Sequence, residues 1–253
     1  MSIETKIKKI AIIVANPEIL FGKKKYLFVV SHMRSRSSVL SHILGNNSEV
    51  CGYKELHMSY KGQSSLINMH IELVKDLKCK LRNRYLFDKI LNNFTISDKM
   101  LNKVQPKILF LLRKPEDTIK SIINMGFKTN INWYKDPIKV TDYYCKRLGQ
   151  MEHLAHRVGK GYLFIESDDL IENSDEILNK TTNWLNLKEP LNNTYSTFKD
   201  TGVMGFGDPL ENIKSGVLQP TASYPDIHVP EHLLSKANEA YNACKVTLLR
   251  FVK

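Results

Sequence analysis

The feature that most constrains the fold is a strand, turn and helix pattern that recurs along the chain. Tyr26–Val30 is a short run of aromatic and β-branched residues between Lys25 and Ser31, which is typical of a fully buried strand. After a polar turn, apolar residues recur at helical spacing until Gly45 and Asn46 indicate a helix end. This order predicts a parallel sheet that binds its ligands beyond the carboxyl ends of its strands.

Two further units with the same order follow. Ile108–Leu112 is a continuous apolar run that leads into a polar turn, with Pro115 near the start of a helix over Thr118–Met125. Tyr162–Ile165 leads into acidic residues and then into a helix over about residues 174–185. We therefore predict an α/β fold of three layers, with a central parallel sheet of about five strands flanked by helices.

Length and composition place these units in one domain. The 253 residues, 42% of them apolar, can bury one large core but are few for two. No repeat, low-complexity tract or Pro/Gly/Ser-rich linker marks a boundary, so we predict a single domain over residues 1–253. The longest apolar runs, such as Ala11–Ala15, are strand-sized, and the start lacks the apolar core of a signal peptide. We predict a cytoplasmic protein with no membrane partner.

Charge and cysteine usage narrow the ligand class. The formal net charge is +11, which favours an anionic ligand, although a solubilising surface explains it equally well. The cysteines show no paired metal-ligand spacing, and without a secretion signal a disulfide framework has little support. We predict free, mostly buried thiols and no metal requirement. The cysteines are Cys51, Cys79, Cys145 and Cys244.

The segment from Ser31 to Ser38 lies where a phosphate-binding loop would lie, between a buried strand and a helix. Free backbone N–H groups and the positive end of the helix dipole meet there, and two arginines and four serines add donors. The segment lacks the glycines and the final Gly-Lys-Ser/Thr of a Walker A loop. It predicts an anion site, and the alternative is a serine-rich helix cap with solvated arginines.

This loop resembles the 5′-phosphosulfate loop of sulfotransferases that use 3′-phosphoadenosine 5′-phosphosulfate (PAPS). That loop commonly reads Lys or Arg, Ser, Gly, Thr or Ser, Thr or Ser, and here it becomes Arg34, Ser35, Arg36, Ser37 and Ser38. The resemblance implies a P-loop-like fold in which Arg34 contacts the sulfuryl and bridging region, while Ser37 and Ser38 hold the 5′-phosphate. Arg36 stands where the family has glycine, and one place for its side chain is along the phosphate.

A second signature of the same family lies about eighty residues further on. It consists of an Arg that ends a strand, a nearby Pro, and a Ser eight residues after the Arg, and Arg113, Pro115 and Ser121 match it. Two helical turns separate Ser121 from the strand end, so both polar side chains can converge on one phosphate. Taken alone, Arg113 could instead form a salt bridge with Glu116 or Asp117.

Later segments extend the resemblance as far as Lys214. The run that starts at Tyr162 is similar to the family's strand with a Tyr-Glu-Asp-Leu ending, and Ser167 falls on the family's tyrosine. The glycine-rich stretch over residues 202–209 stands where the family places a loop over the nucleotide. The resemblance implies nucleotide contacts from Phe206 and Gly207 in this stretch and from Lys214 after it, and an ordinary surface loop is the alternative.

The histidine base of the cytosolic sulfotransferases has no counterpart here, because Leu91 occupies its position after Lys89. Lys54-Glu55-Leu56-His57 resembles the Lys-Glu-Val-His segment of heparan-sulfate-type sulfotransferases, whose glutamate is the base. The resemblance implies Glu55 as first candidate for the base, and His57 as second, since histidine titrates near neutral pH. Lys89 is the candidate that stabilises the leaving group, and a solvated lysine paired with Asp88 is the alternative.

Together these features predict a sulfotransferase that moves a sulfuryl group from PAPS to a hydroxyl or amine and releases 3′-phosphoadenosine 5′-phosphate (PAP). A P-loop-like nucleotide kinase and a non-catalytic nucleotide-binding protein are the alternatives. The basic run Lys78, Lys80, Arg82 and Arg84 has no interleaved stacking aromatics, so nucleic acid is not an expected partner. The acceptor wall is expected from residues 58–84 and 130–149. Their polar and aromatic content suits a polar small molecule, such as a bacterial natural product of the saxitoxin kind.

Overall fold

The computed structural model describes residues 3–77, 79–203, 211–220 and 222–252. The helices are α1 (Ile3–Ala15), α2 (Ser37–Gly45), α3 (Gln63–Leu77), α4 (Asp98–Val104), α5 (Pro115–Thr129), α6 (Pro137–Val158), α7 (Asp169–Glu172), α8 (Ser174–Leu185) and α9 (Glu231–Arg250). The strands are β1 (Lys25–Ser31), β2 (Val50–Cys51), β3 (Tyr85–Ile90), β4 (Lys107–Leu112) and β5 (Leu163–Glu166). Short 3-10 helices cover Pro17–Ile19, Asn132–Lys135 and Glu211–Ser215.

The described strands form one parallel sheet with the order β2-β3-β1-β4-β5. Strand β1 lies at its centre, where Val29 is opposite Lys89 of β3 and Leu109 of β4. Because all pairs are parallel, the carboxyl ends of β1, β3 and β4 meet at one edge of the sheet. The predicted parallel α/β sheet of about five strands is confirmed.

Helices cover both faces of the sheet, as a strand with buried residues on both sides requires. On one face, Leu27 and Val29 pack into a core with residues of α2 and α8. On the other face, Phe28 and Val30 pack into a larger core with residues of α3, α5, α6 and α9. The predicted three layers are therefore confirmed, and the central strand has apolar side chains facing each of them.

Capping residues fix where helix α6 begins and ends. The Asp136 carboxylate accepts the N–H groups of Ile138, at 3.0 Å, and of Lys139, at 3.3 Å, and Pro137 occupies the first turn, where no N–H is needed. Gly159 ends the helix with a φ of 70°. The 22 residues of α6 run across the core and place several buried polar side chains under the strand ends.

Two segments noted in the sequence form a helix and a loop. The strand-sized run Ala11–Ala15 lies in helix α1, because only Ile12 and Ile13 of that run pack against the core, as one face of a helix does. The basic residues Lys80, Arg82 and Arg84 lie in the loop before β3, and Lys78 is outside the described residues. Within the described ranges, no helix is both long and apolar enough to span a bilayer.

The prediction of free thiols is wrong for two of the cysteines. The structure pairs Cys51 with Cys79 as a disulfide, with a distance of 6.4 Å between their Cα atoms. Their separation of 28 residues conceals this proximity, which arises because Cys51 lies on the edge strand β2 and Cys79 lies just beyond α3. Cys145 and Cys244 are free, and burial raises the pKa of the Cys244 thiol well above its usual value.

Candidate active site

A cavity of about 270 Å³ opens beyond the carboxyl ends of the central strands. It is the place that the fold predicts for a ligand, since parallel sheets bind ligands at this edge. Most of the residues singled out from the sequence line this one cavity. They are Arg34, Arg36, Ser37, Ser38, Glu55, His57, Lys89, Arg113 and Ser121.

The loop after β1 reaches α2 through an unusual backbone. Arg34 and Arg36 have φ values of 60° and 64°, in the left-handed region that costs a non-glycine residue about 1–3 kcal/mol. Arg36 directly precedes α2 and makes no side-chain cap, so the first N–H groups of the helix are left for other acceptors. Ser35 lies buried beneath the loop, outside the cavity lining, and its hydroxyl has no hydrogen-bond partner among the described residues.

Hydrogen bonds of the Arg36 side chain offset the cost of its left-handed backbone conformation. Its Nη1 donates to the Ser167 carbonyl oxygen and to Asp168 Oδ1, both at 2.7 Å. Burial acts to raise the pKa of Asp168, but hydrogen bonds from Arg36 and Lys114 outweigh it and lower that pKa. Ser167, which falls on the tyrosine of the motif that the sequence resembles, thus holds Arg36 in place. The guanidinium is anchored at the end of β5.

Arg113 and Arg34 form a crowded pair of cations. Arg113 is only 6% exposed, its Nη1 donates to the Arg34 carbonyl oxygen at 3.0 Å, and its Nε–H has no acceptor in the described part of the chain. Burial, followed by the nearby Arg36, lowers the pKa of Arg113 to about 10. Asp117 lies 3.9 Å from Nη2, at the limit of a salt bridge. An anion between these cations would relieve the repulsion and supply the missing acceptor.

Ser121 completes this group as its spacing predicts. Its hydroxyl accepts from Arg34 Nε at 2.9 Å and lies 3.4 Å from the Tyr224 hydroxyl. The two family signatures therefore meet in space, since Arg34 comes from one and Ser121 and Arg113 come from the other. We call Arg34, Arg36 and Arg113 the cation cluster.

Buried polar side chains hold the strand ends that carry this cluster. His32 Nε2 accepts the Arg113 N–H at 3.1 Å, which leaves Nδ1 to donate to the Met33 carbonyl oxygen at 2.9 Å. Burial lowers the pKa of His32 to about 3, so its ring is neutral at physiological pH. From α6, the Tyr144 hydroxyl donates to the Arg113 carbonyl oxygen at 2.7 Å, and Arg147 donates to the Ser31 carbonyl oxygen at 2.9 Å. Tyr144 and Arg147 fall within residues 130–149, which were expected to line the acceptor, but from one face of α6 they hold strand ends instead.

Glu55 is a buried carboxyl in the cavity wall. Its side chain is 7% exposed, and within the described ranges Oε1 accepts no hydrogen bond, although His57 Nδ1 lies 3.3 Å away. His57 is much more open, at 43% exposure, and has a φ of 52°. The pair predicted as alternative bases is thus adjacent, with Glu55 inside and His57 at the rim.

Acidic residues clamp the segment Lys54–His57, which we call the base segment, from both sides of Glu55. Lys54 Nζ pairs with Asp76 of α3 at 3.1 Å and also contacts Asp200 closely. The Leu56 N–H donates to Asp88 Oδ1 of β3 at 2.9 Å. Because both neighbours of Glu55 are fixed, the position of its carboxyl follows from contacts with distant parts of the chain.

Asp88 and Lys89 are consecutive in β3, so their side chains point to opposite faces of the sheet. Lys89 is 2% exposed and its Nζ donates to Ser38 Oγ at 3.1 Å, so this lysine is not solvated. Asp88 points the other way and accepts from the Tyr60 hydroxyl at 2.6 Å. Burial raises the pKa of Asp88 to about 7, although its hydrogen bonds act to lower it.

Only some of the remaining predicted site residues line the cavity. Ile131 and Tyr134 line the cavity as part of the expected acceptor wall, whereas no described residue of 58–84 does so. Gly126 of α5 allows Tyr134 to approach, since a Cβ at that glycine would lie 2.7 Å from Tyr134 Cβ. Lys214 is not among the cavity residues, although Ile213 is. Phe206 and Gly207 lie outside the described residues.

Metal-binding side chains were not expected. No group of three or more His, Cys, Asp or Glu residues in the described ranges is arranged to hold a metal ion. The absence of a metal requirement stays a prediction.

The fold has relatives among solved structures. No protein-family model matches the sequence, and no curated protein matches it. The chain is similar to the sulfotransferase domain of the Synechococcus PCC 7002 olefin synthase, at 17% identity and a TM-score of 0.56, covering 86% of this chain and 95% of that one. It is also similar to the sulfotransferase domain of the curacin biosynthetic pathway, at 14% identity and a TM-score of 0.59, covering 86% and 98%. These likenesses show a shared fold and confirm the P-loop-like architecture.

Proposed function

We propose that this chain is a sulfotransferase that moves a sulfuryl group from PAPS to a hydroxyl or amine of a small molecule. One observation carries the proposal: a single cavity is lined by the cation cluster and by the buried carboxyl of Glu55. The first suits a phosphorylated donor, and the second suits removal of a proton from an acceptor. The fold shared with two sulfotransferase domains supports it. We propose further that residues 1–253 form one cytoplasmic sulfotransferase domain.

In this proposal the donor lies along the loop after β1. The N–H groups at the start of α2, with Ser37 and Ser38, hold the 5′-phosphate. Arg113 and Ser121 hold the 3′-phosphate, and the Arg113 Nε–H, which has no acceptor among the described residues, supports this assignment. Phe206, Gly207 and Lys214 are proposed to cover the nucleotide, as the resemblance implies.

The chemical step needs a base and cations near the bond that breaks. A bond forms between the acceptor atom and sulfur, while the bond from sulfur to the bridging oxygen breaks and PAP leaves. Glu55 takes the proton of the acceptor, and Lys89 and Arg34 stabilise the charge that develops on the leaving phosphate. The proposed reaction requires no metal ion, since positioning and charge supply the rate. His57 is the second candidate for the base, because its ring adjoins Glu55.

The acceptor is proposed to be a polar small molecule, such as a natural product of the saxitoxin kind. Thr129 and Tyr134 add hydroxyl groups to the wall of the cavity, which suits a polar acceptor. Transfer of label from radiolabelled PAPS to a panel of alkaloids, alcohols and amines tests this part. Labelling confined to strongly apolar alcohols would contradict it.

A comparison of nucleotides tests the donor. We expect PAP at about 100 times its Kd to stabilise the protein by about 2.7 kcal/mol, which raises Tm by roughly 5–10 °C for a chain of this size. ATP with magnesium should give a much smaller shift, because the loop lacks a Walker A end. Stabilisation by ATP with magnesium and not by PAP would favour the nucleotide kinase and contradict the proposal.

A further inference from the structure

Helix α1 carries apolar side chains on the side that faces solvent. Ile7 and Ile10 are each 61% exposed, and Val14 is 75% exposed. Their spacing of three and four residues places them along one stripe of the helix. A surface helix normally has polar residues there, so this stripe calls for a contact that the described residues do not provide.

Helix α1 packs against the rest of the protein through side chains other than those of the exposed stripe. Ile12 and Ile13 pack against the core, and Lys9 Nζ donates to Asn68 Oδ1 of α3 at 2.7 Å. At 100° per residue, the centre of this packed face lies about 140° around the helix from the centre of the stripe. Helix α1 therefore carries apolar residues on two separate parts of its surface, and the described fold covers one of them.

Lysines are concentrated in and after the helix that carries the stripe. Lys6 borders the stripe on one side, and residues 3–25 contain six lysines against two glutamates. One of the glutamates, Glu4, pairs with Lys8 at 2.6 Å. This segment is less than a tenth of the chain, yet its excess of four positive charges is about a third of the net charge of +11.

The turn after α1 also combines exposed apolar side chains with lysines. Leu20 is 49% exposed and Phe21 is 65% exposed, and three consecutive lysines follow them. Arg82 of the loop before β3 approaches this turn, since its Nε lies 3.6 Å from the position of a Cβ on Gly22. Exposed apolar side chains with surrounding cations thus extend from α1 to the amino-terminal edge of the sheet.

We propose that α1 and this turn dock on the surface of a bilayer that contains anionic lipids. Exposed apolar side chains beside lysines are what an interfacial helix presents to acyl chains and acidic headgroups. A second copy of the chain suits the stripe poorly, because the excess of positive charge over residues 3–25 would face the same excess on the other copy. This inference revises the sequence-based expectation of no membrane partner, and it is independent of the proposed reaction.

Docking at this place leaves the active site accessible. The turn precedes β1, whereas the cavity lies beyond the other end of that strand, and the seven residues of β1 span about 20 Å. The docked protein would therefore keep its cavity open to solvent, and its nucleotide binding should not depend on lipid.

Vesicle flotation with the full chain tests the proposal. We expect flotation with phosphatidylcholine vesicles that contain roughly a third phosphatidylglycerol, and at least about tenfold less with phosphatidylcholine alone, because the lysines need acidic headgroups. High salt should weaken the binding. Absence of flotation, or equal flotation with both vesicles, would overturn the proposal.

A triple variant and a matched control locate the surface. Ile7→Ser with Ile10→Ser and Val14→Ser should lower binding to the anionic vesicles about tenfold or more, and should leave the PAP-induced shift in Tm unchanged. The control is Val246→Ser with Leu249→Ser on α9, whose side chains are 68% and 53% exposed, and it should bind as the original chain does. Equal losses in both variants would overturn the assignment to α1. So would a dimer in sedimentation velocity that only the α1 variant abolishes, since that would assign the stripe to a second copy.

Discussion

The cation cluster and the base segment line the same cavity but are built in different ways. The cation cluster comes from residues that directly follow β1 and β4, so the ends of two adjacent parallel strands bring them together. The base segment has no helix or strand, and acidic side chains of β3, of α3 and of residue 200 hold it. The contrast teaches that a cluster of cations can follow from local sequence and sheet topology, whereas the orientation of the Glu55 carboxyl depends on long-range contacts.

The largest expected effect is on turnover at the base segment. Glu55→Gln keeps the size of the side chain but removes the proton acceptor, so kcat should fall by about 10²–10⁴-fold. The Kd for PAP, measured by titration calorimetry, should change less than about twofold, because the change does not touch the cation cluster. His57→Ala is the matched variant at the cavity rim, and near-normal kcat in Glu55→Gln with an inactive His57→Ala would transfer the role to His57.

A smaller effect, confined to nucleotide affinity, is expected at the cation cluster. Arg113→Met removes a buried cation while keeping much of its volume, and loss of charge-assisted hydrogen bonds should weaken PAP binding about 10- to 100-fold. Arg82→Met, at an exposed position beyond the other edge of the sheet, is the control and should bind PAP normally. Unchanged PAP affinity in Arg113→Met would remove the 3′-phosphate from this part of the cavity.

The smallest expected effect is on the pH dependence of the free energy of unfolding, and it comes from Asp88, which accepts a hydrogen bond from the base segment. The pKa of Asp88 is raised to about 7 in the folded protein, above the value of about 3.9 in an unfolded chain, so the folded state binds more protons between these pH values. The contribution of Asp88 to the free energy of unfolding is therefore complete below about pH 4 and is lost as the pH rises through 7. Its slope is at most about 1.4 kcal/mol per pH unit.

Asp88→Asn should remove this slope while Tyr60 and Leu56 keep a polar partner. The measurement is urea unfolding of both proteins from pH 4 to pH 8, and the difference between them isolates Asp88 from groups such as His32. Its effect on kcat should be only a few-fold, because Lys54 still anchors the segment. Parallel curves for the two proteins would contradict the raised pKa of Asp88.

The strands that could be predicted were those whose apolar runs are uninterrupted. Strands β1, β4 and β5 were visible as such runs, and the helices that follow β1 and β4 were visible from their spacing. Strand β3 was not, because Asp88 and Lys89 interrupt it, and hydrogen bonds with Tyr60, Leu56 and Ser38 help these polar residues to lie buried there. The buried roles of Tyr144 and Arg147 were also hidden, since their acceptors are carbonyl groups at strand ends.

The sequence by itself determined the layered parallel fold and the meeting of the two segments that carry Arg34 and Arg113. Apolar runs select buried parallel strands, and parallel strands bring the residues that follow them to one edge. Only the tertiary structure decided that Arg36 is anchored to Asp168, that Glu55 is buried beside His57, and that α1 keeps an uncovered apolar stripe. Each of these depends on which distant groups become neighbours, and the free energy of a buried charge or an exposed apolar face is set by those neighbours.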